Sequence, residues 1–226
     1  MKNVLVGTLM TAALAGPVLA EEEKPYTIDG YIGVTSDYRD RGLSLSDRDP
    51  TIRASVGLYH DSGFYLGGGL AAISDSAGGD AKANIFAGYS FDSDGFTYDL
   101  SVELDSIHGS DSAYYPEFTG AVSRDFGLAY IRTGITYAPD GRWSAPDSDS
   151  FYLFTDLEVP VPTLPELTVI TRLGYDMRDD RRNLWDYGIG LSAFVENFEL
   201  SLMYENSSLN GGLGKGAVIG GVKFYF

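Results

Sequence analysis

Phe96-Thr-Tyr98-Asp-Leu100-Ser-Val102-Glu-Leu104-Asp105 carries an apolar side chain at every even position and a polar or acidic one at every odd position. A period of two marks a strand with one apolar and one polar face, because successive side chains of an extended chain point to opposite sides. Similar runs lie at about 26–37, 51–59, 64–71, 82–91, 114–124, 128–137, 150–159, 167–176, 185–194, 198–206 and 216–226, so twelve strands are expected. The connections between them alternate in length. Short ones fall at His60-Asp-Ser-Gly63, Asp92-Ser-Asp-Gly95, Asp125-Phe-Gly127 and Glu196-Asn197, with a longer proline-rich one from Pro160 to Glu166. Long ones fall at 38–50, 72–81, 107–113, 138–149, 177–184 and 207–215. Short turns at one end and long loops at the other predict an all-β fold, a transmembrane antiparallel up-and-down β-barrel.

The distribution of charge supports this. A basic residue at mid-depth on a lipid-facing surface costs roughly 2–4 kcal/mol, so a membrane barrel needs one uncharged face. The apolar positions of this parity, exemplified by Ile28, Ile32 and Val34, by Leu100, Val102 and Leu104, and by Val218, Val222, Phe224 and Phe226, are uncharged. The opposite parity carries Asp29, Arg53, Asp99, Glu103, Glu117, Arg132, Asp156, Glu158, Arg172, Asp176, Asp186, Glu199, Glu205 and Lys223. These fourteen are the predicted lumen-lining charges. A soluble sandwich also alternates, but it does not require twelve strands with loops sorted by end. Aromatic residues sort by end as well. Tyr26, Phe64, Tyr89, Phe91, Phe96, Tyr98, Phe198, Phe224 and Phe226 fall near the short turns, while Tyr137, Phe151, Tyr175, Trp185, Tyr187 and Tyr204 fall toward the long loops. Two interfacial girdles are the expected consequence.

Composition removes other classes. Among 226 residues there is no Cys, which excludes a disulfide framework, a thiolate metal site and a cysteine nucleophile. Sixteen Lys and Arg against 32 Asp and Glu give a formal charge of −16, which argues against a nucleic-acid partner. Lys2, the apolar run Val4 to Ala15 and Val18-Leu19-Ala20 before Glu21 form the three-part pattern of a secretory signal peptide over residues 1–20. The barrel is then expected to occupy 21–226. An autotransporter translocator is disfavoured, because only a few residues separate that cleavage point from the first strand.

Val222, Phe224 and Phe226 alternate up to the final residue. This resembles the C-terminal signal read by bacterial barrel-assembly machinery, and the resemblance implies that machinery as a partner, a Gram-negative outer membrane and termini facing the periplasm. Val34-Thr-Ser-Asp-Tyr-Arg-Asp-Arg-Gly-Leu-Ser-Leu-Ser-Asp-Arg-Asp-Pro50 followed by Ser62-Gly-Phe-Tyr-Leu-Gly67 resembles the opening of the TorF-like porins. Weaker similarities, Gly88-Tyr-Ser and Phe198-Glu-Leu-Ser-Leu among them, extend over most of the chain. The resemblance implies an outer-membrane porin without indicating a solute. Asp40 stands where that family often carries an aromatic or apolar residue, so no role is carried over to it.

Function then depends on the interior. Ten of the fourteen inward charges are acidic, so an open lumen would attract cations and repel small anions. The expected function is passive diffusion of small solutes, with cations preferred. The alternative is a structural or adhesive barrel whose lumen is filled or plugged, with Arg53, Arg132, Arg172 and Lys223 bridging neighbouring carboxylates. Arg39, Arg41 and Arg48 in the first long loop admit three readings: contact with lipopolysaccharide phosphates, an inward-folded constriction, or a solvated loop compensated by Asp40, Asp47 and Asp49. Loop acids such as Asp75, Asp80 and Asp140 could meet divalent cations at a lipid surface, but no EF-hand spacing supports a dedicated metal site. No cofactor is expected. No enzyme is expected either: His60 and His108 fall at opposite ends of the predicted barrel, and the serines around His108, at 106, 110 and 112, lack a distinguishing motif.

Overall fold

A computed structural model describes residues 24–74, 79–109, 113–209 and 211–226. The predicted signal segment, together with Asp75, Ser110 and Ser112, lies outside the described residues. Twelve strands close into a single barrel: β1 (Tyr26–Thr35), β2 (Thr51–His60), β3 (Phe64–Ala72), β4 (Gly79–Ser93), β5 (Phe96–Gly109), β6 (Ala113–Asp125), β7 (Tyr130–Ala138), β8 (Ser150–Val161), β9 (Leu164–Arg178), β10 (Leu184–Val195), β11 (Phe198–Ser207) and β12 (Ala217–Tyr225). Each pairs antiparallel with its neighbours in sequence. β1 and β12 close the ring, with Ile32 opposite Phe224 and Gly33 opposite Lys223. Closure satisfies the edge N–H and C=O groups that an open sheet would expose to hydrocarbon.

The expected alternation is realised as an inside-out protein. Ile28 is 58% exposed, Leu70 65%, Leu100 60% and Val218 65%, all on the uncharged parity. On this face Phe64, Tyr89, Phe91 and Tyr98 form a chain of ring contacts at the short-turn end, with centroids 4.7, 5.9 and 5.2 Å apart. At the long-loop end Tyr137 meets Phe151 at 4.7 Å and Tyr175 meets Trp185 at 4.3 Å. The two aromatic belts therefore flank an apolar band, as a bilayer with two interfaces requires. Among the described residues no helix is long and apolar enough to cross a membrane.

Two expected connections are shorter than the sequence suggested. Pro160 does not begin a loop: β8 runs on to Val161, β9 starts at Leu164, and the register shifts between Pro160 and Val161. The β7–β8 ladder has already ended at Glu158, so the missing proline N–H is not needed there. Likewise β5 reaches Gly109 and β6 resumes at Ala113. Pro116 pairs with Leu104 but lies beyond Phe118, where the β6–β7 ladder ends.

The last residue is tied into the seam. The Phe226 N–H donates to the Gly30 carbonyl (3.0 Å) and the Gly30 N–H to the Phe226 carbonyl (3.2 Å). A Cβ on Gly30 would stand 2.8 Å from the Phe226 ring, so the absent side chain is what lets that ring lie against the strand.

Candidate functional site

The charged parity meets itself across the inside of the barrel. From mid-height to the short-turn end, Asp99 on β5 accepts from the Tyr65 hydroxyl on β3 (2.6 Å) and faces Arg132 on β7 (3.5 Å). Arg172 pairs with Asp156 at 2.7 Å. Glu199 accepts from Lys223 (2.9 Å), Tyr225 (2.5 Å) and Ser192 (3.0 Å). These cations stay wet: the side chains of Arg172, Lys223 and Arg132 are 52%, 35% and 34% exposed. Asp29, Glu158 and Glu205 make no ion pair among the described residues.

The long-loop end is different, because two loops turn into the lumen. In residues 36–50, Arg39–Asp40 pairs with Leu43–Ser44 as a miniature hairpin. In residues 139–149, Gly141–Arg142 pairs with Ala145–Pro146. The reason lies in the apolar residues of the first loop. Tyr38 and Leu45 pack with Ala71, Ile73 and Ile107 into a hydrophobic cluster, flanked by Tyr115 and Trp143. Leu43 is 4% exposed and Leu45 fully buried. In a barrel whose outer face meets lipid, a loop can bury such groups in quantity only by entering the lumen.

The inserted loops build a compact charge cluster. Glu117 on β6 receives Arg41 Nη2 on both carboxylate oxygens at 2.8 Å and Arg142 Nε at 3.2 Å. Arg142 also pairs with Asp40, which accepts from Trp143 Nε1 at 2.8 Å. The Arg41 guanidinium lies 4.2 Å from the Tyr152 ring centroid, and the Tyr152 hydroxyl donates to Asp186 at 3.0 Å. Arg53 stacks on Tyr38 at 4.1 Å instead of meeting a carboxylate. Glu103 lies beside Asp105, which pairs with Lys82 at 2.7 Å. Asp176, 1% exposed, holds Arg178 at 2.7 Å. Here the cations are dry: the side chains of Arg39, Arg41 and Arg142 are 1%, 9% and 2% exposed.

Burial by itself would raise the Asp40 carboxyl. Arg142, Lys82, Arg41 and the Trp143 donor outweigh it and hold that carboxyl well below the usual carboxylate range. Arg142 loses charge stability to burial but regains more from Asp40 and Glu117, so its guanidinium is held even more firmly protonated than usual.

The three loop arginines thus separate. Arg39, which also donates to the Lys215 carbonyl at 2.7 Å, and Arg41 point into the lumen, away from any surface lipid. Arg48 is exposed at the rim and donates to the Gly212 carbonyl of the last long loop. Arg142, Trp143, Lys82 and Asp37 belong to the loop-filled end but are absent from the sequence-based set: Arg142, Trp143 and Asp37 lie in loops, where strand parity says nothing, whereas Lys82 stands on the inward parity of its strand and is legible there. A legible signal was Tyr38, Leu43 and Leu45, apolar residues spaced through an otherwise charged loop.

Among the described residues no three His, Asp or Glu side chains are placed to hold a metal. His60 Nδ1 lies 2.7 Å from Ser62 Oγ at the short-turn end, and His108 Nε2 lies 3.0 Å from Ser106 Oγ at the long-loop end. Ser106 Oγ donates to the Ala83 carbonyl at 3.1 Å, which directs its proton away from the imidazole.

Comparison with solved structures finds barrels of the same fold. A KdgM porin superposes with TM-score 0.60 at 14% identity, covering 88% of this chain and 99% of that one. A NanC porin superposes with TM-score 0.61 at 10% identity, covering 88% and 99%. A KdgM porin in complex with disordered oligogalacturonate gives 0.58 at 15%, again covering 88% and 99%. At these identities the likeness is one of fold. Comparison with curated protein sequences finds no match. Residues 19–212, which include the whole TorF-like opening, match the model of a bacterial protein family of unknown function, Gcw_chp, and this chain belongs to that family.

Proposed function

We propose that the protein is an outer-membrane channel for passive diffusion of small hydrophilic solutes, with a preference for cations. The observation that carries this reading is the solvated, charge-lined half of a closed lumen: Arg172 is half exposed inside a barrel whose outer surface is apolar between two aromatic belts. Solvated charge inside a barrel wall is the physical requirement for moving polar solutes across hydrocarbon. The preference for cations rests on Asp29, Glu158 and Glu205, which make no ion pair among the described residues, whereas Arg132, Arg172 and Lys223 are each paired. The related fold of KdgM has been solved with oligogalacturonate, an acidic polymer. The excess of inward carboxylates here opposes a solute of that charge.

Export by a cleaved signal segment, insertion by barrel-assembly machinery through Val222, Phe224 and Phe226, and contact of the outer rim with lipopolysaccharide complete the proposal. A second reading, a plugged and non-conducting barrel, is favoured by one feature, the dry long-loop half of the lumen around Arg142. Planar-bilayer recording separates the two. Conductance with a reversal potential of cation sign in a salt gradient is expected. Anion-selective current would refute the preference, and silence from refolded, heat-modifiable barrels in which the inserted loops have been removed would refute the channel.

A further inference from the structure

The loop that enters the lumen reaches almost every side of the wall. Tyr38 stacks with Arg53 on β2, and Leu45 packs against β3 and β5. Arg41 grips Glu117 on β6 and covers Tyr152 on β8. At the tip, a Cβ on Gly42 would stand 2.8 Å from Asp186 Cβ on β10 and 3.1 Å from Ser207 Cβ on β11. A segment touching strands all around the ring occupies the cross-section.

Three features make this closed arrangement finely balanced. First, the tip is a two-residue turn with both residues at positive φ, Arg41 at 48° and Gly42 at 74°. Turns of this kind favour Asn or Gly at the first place, and an arginine held there is a strained position retained for what its side chain reaches. Second, its partners form a buried quartet, Glu117 with Arg41 and Arg142, and Arg142 with Asp40. Buried ion pairs recover little more than the hydration they gave up, so such a latch holds position without adding much net stability. Third, among the described residues five buried side-chain polar atoms have no hydrogen-bond partner, and four of them belong to charged groups: Arg41 Nη1, Arg142 Nη1, Asp105 Oδ1 and Asp176 Oδ1. Charged groups left unmade are costly, and water reaching them on opening would satisfy them.

We propose that the Arg39–Ser44 hairpin is a displaceable plug, latched on Glu117 by Arg41 and Arg142, and that the channel conducts when this latch opens. The packed residues Tyr38 and Leu45 are the fixed base on which the tip swings. The inference rests on the channel reading above and adds a moving part to it.

The absence of cysteine makes the test clean. In Gly42→Cys/Ser207→Cys the two Cβ atoms stand 3.1 Å apart, a few tenths of an ångström closer than a disulfide requires, so a small outward shift of the tip lets the bond form. Single-channel recording is run on the oxidised protein, on the same protein after dithiothreitol, and on a barrel lacking residues 39–44. Opening is expected to be at least about tenfold rarer in the oxidised form and restored by reduction, the behaviour of a two-state element held in one state. Equal conductance of oxidised and reduced forms overturns the plug and leaves the channel standing. Silence from the folded, tip-deleted barrel overturns the channel reading and the plug with it. If the disulfide does not form, Glu117→Gln serves instead: a carboxamide cannot hold two guanidiniums, and the fraction of time open should rise several-fold. An unchanged open fraction in that variant overturns the latch.

Discussion

At the scale of single residues, Asp40 shows how the lumen can hold charge on protein partners. Arg142, Lys82 and Arg41 surround it, and Trp143 donates to it. An unfolded aspartate titrates near about pH 3.9, and the folded Asp40 titrates below that. The stability contributed by its ionised form is therefore complete above about pH 4 and is lost as pH falls through the folded value. In a Trp185→Phe variant, whose remaining tryptophan is Trp143, emission should stay unchanged from neutral pH down to about 4, because the folded Asp40 carboxyl is still ionised there. Asp40→Asn in that background should shift the emission to the red at neutral pH. An Asp40→Asn spectrum identical to that of its parent at neutral pH would show that the carboxylate does not hold the loop. Gly30 is a second single-residue dependency. Gly30→Val must displace the Phe226 ring from the seam between β1 and β12, and the overpacking should destabilise the folded barrel by about 1–3 kcal/mol. Unfolding by denaturant, followed by the gel shift of the folded form, measures it.

At the scale of elements, parity does the organising. β5 pairs through nearly its whole length with β4 and β6, and its two faces see opposite solvents. Leu100, 60% exposed, faces the side where lipid lies, while Asp99 meets Tyr65 and Arg132 inside. Leu100→Arg is expected to cost roughly 2–4 kcal/mol and to reduce assembly into liposomes. The polar Ser101, whose side chain shares the inner face with Asp99, should accept arginine at far smaller cost. Equal loss from both variants would contradict the orientation of the strand. The prolines sharpen the same logic. Pro116 and Pro160 interrupt no ladder because each stands past the end of the neighbouring one, so the prolines of 160–166 do not make that stretch a loop.

At the scale of the whole molecule, the barrel is divided along its axis. One half of the lumen is wet and its cations partly exposed, while the other is filled by loops whose arginines are nearly inaccessible. The closed ring leaves no edge strand, so the folded protein should resist SDS until boiled and then migrate differently on a gel. Recovery as a soluble periplasmic protein without detergent would contradict membrane insertion. The net charge of −16 is sorted by position at this scale. Much of it is held in ion pairs inside the barrel, while Asp29, Glu158 and Glu205, on which the proposed cation preference rests, make no ion pair among the described residues.

The sequence by itself determined the strands, their order and their faces, since a period of two in Phe96 to Asp105 and its eleven counterparts is a local property that any closed barrel must obey. Apart from the proline-rich turn, it also determined which end holds the short turns. Only the tertiary structure decided what fills the lumen. Arg41 and Glu117 are 76 residues apart and Asp40 and Arg142 are 102 apart, and no pattern within one strand or one loop brings them together. Their meeting depends on the ring having closed to a particular width, on Tyr38 and Leu45 finding Ala71 and Ile107, and on a turn that accepts an arginine at positive φ. Parity is set by the geometry of one strand, whereas the contents of the lumen are set by the packing of loops against many strands at once.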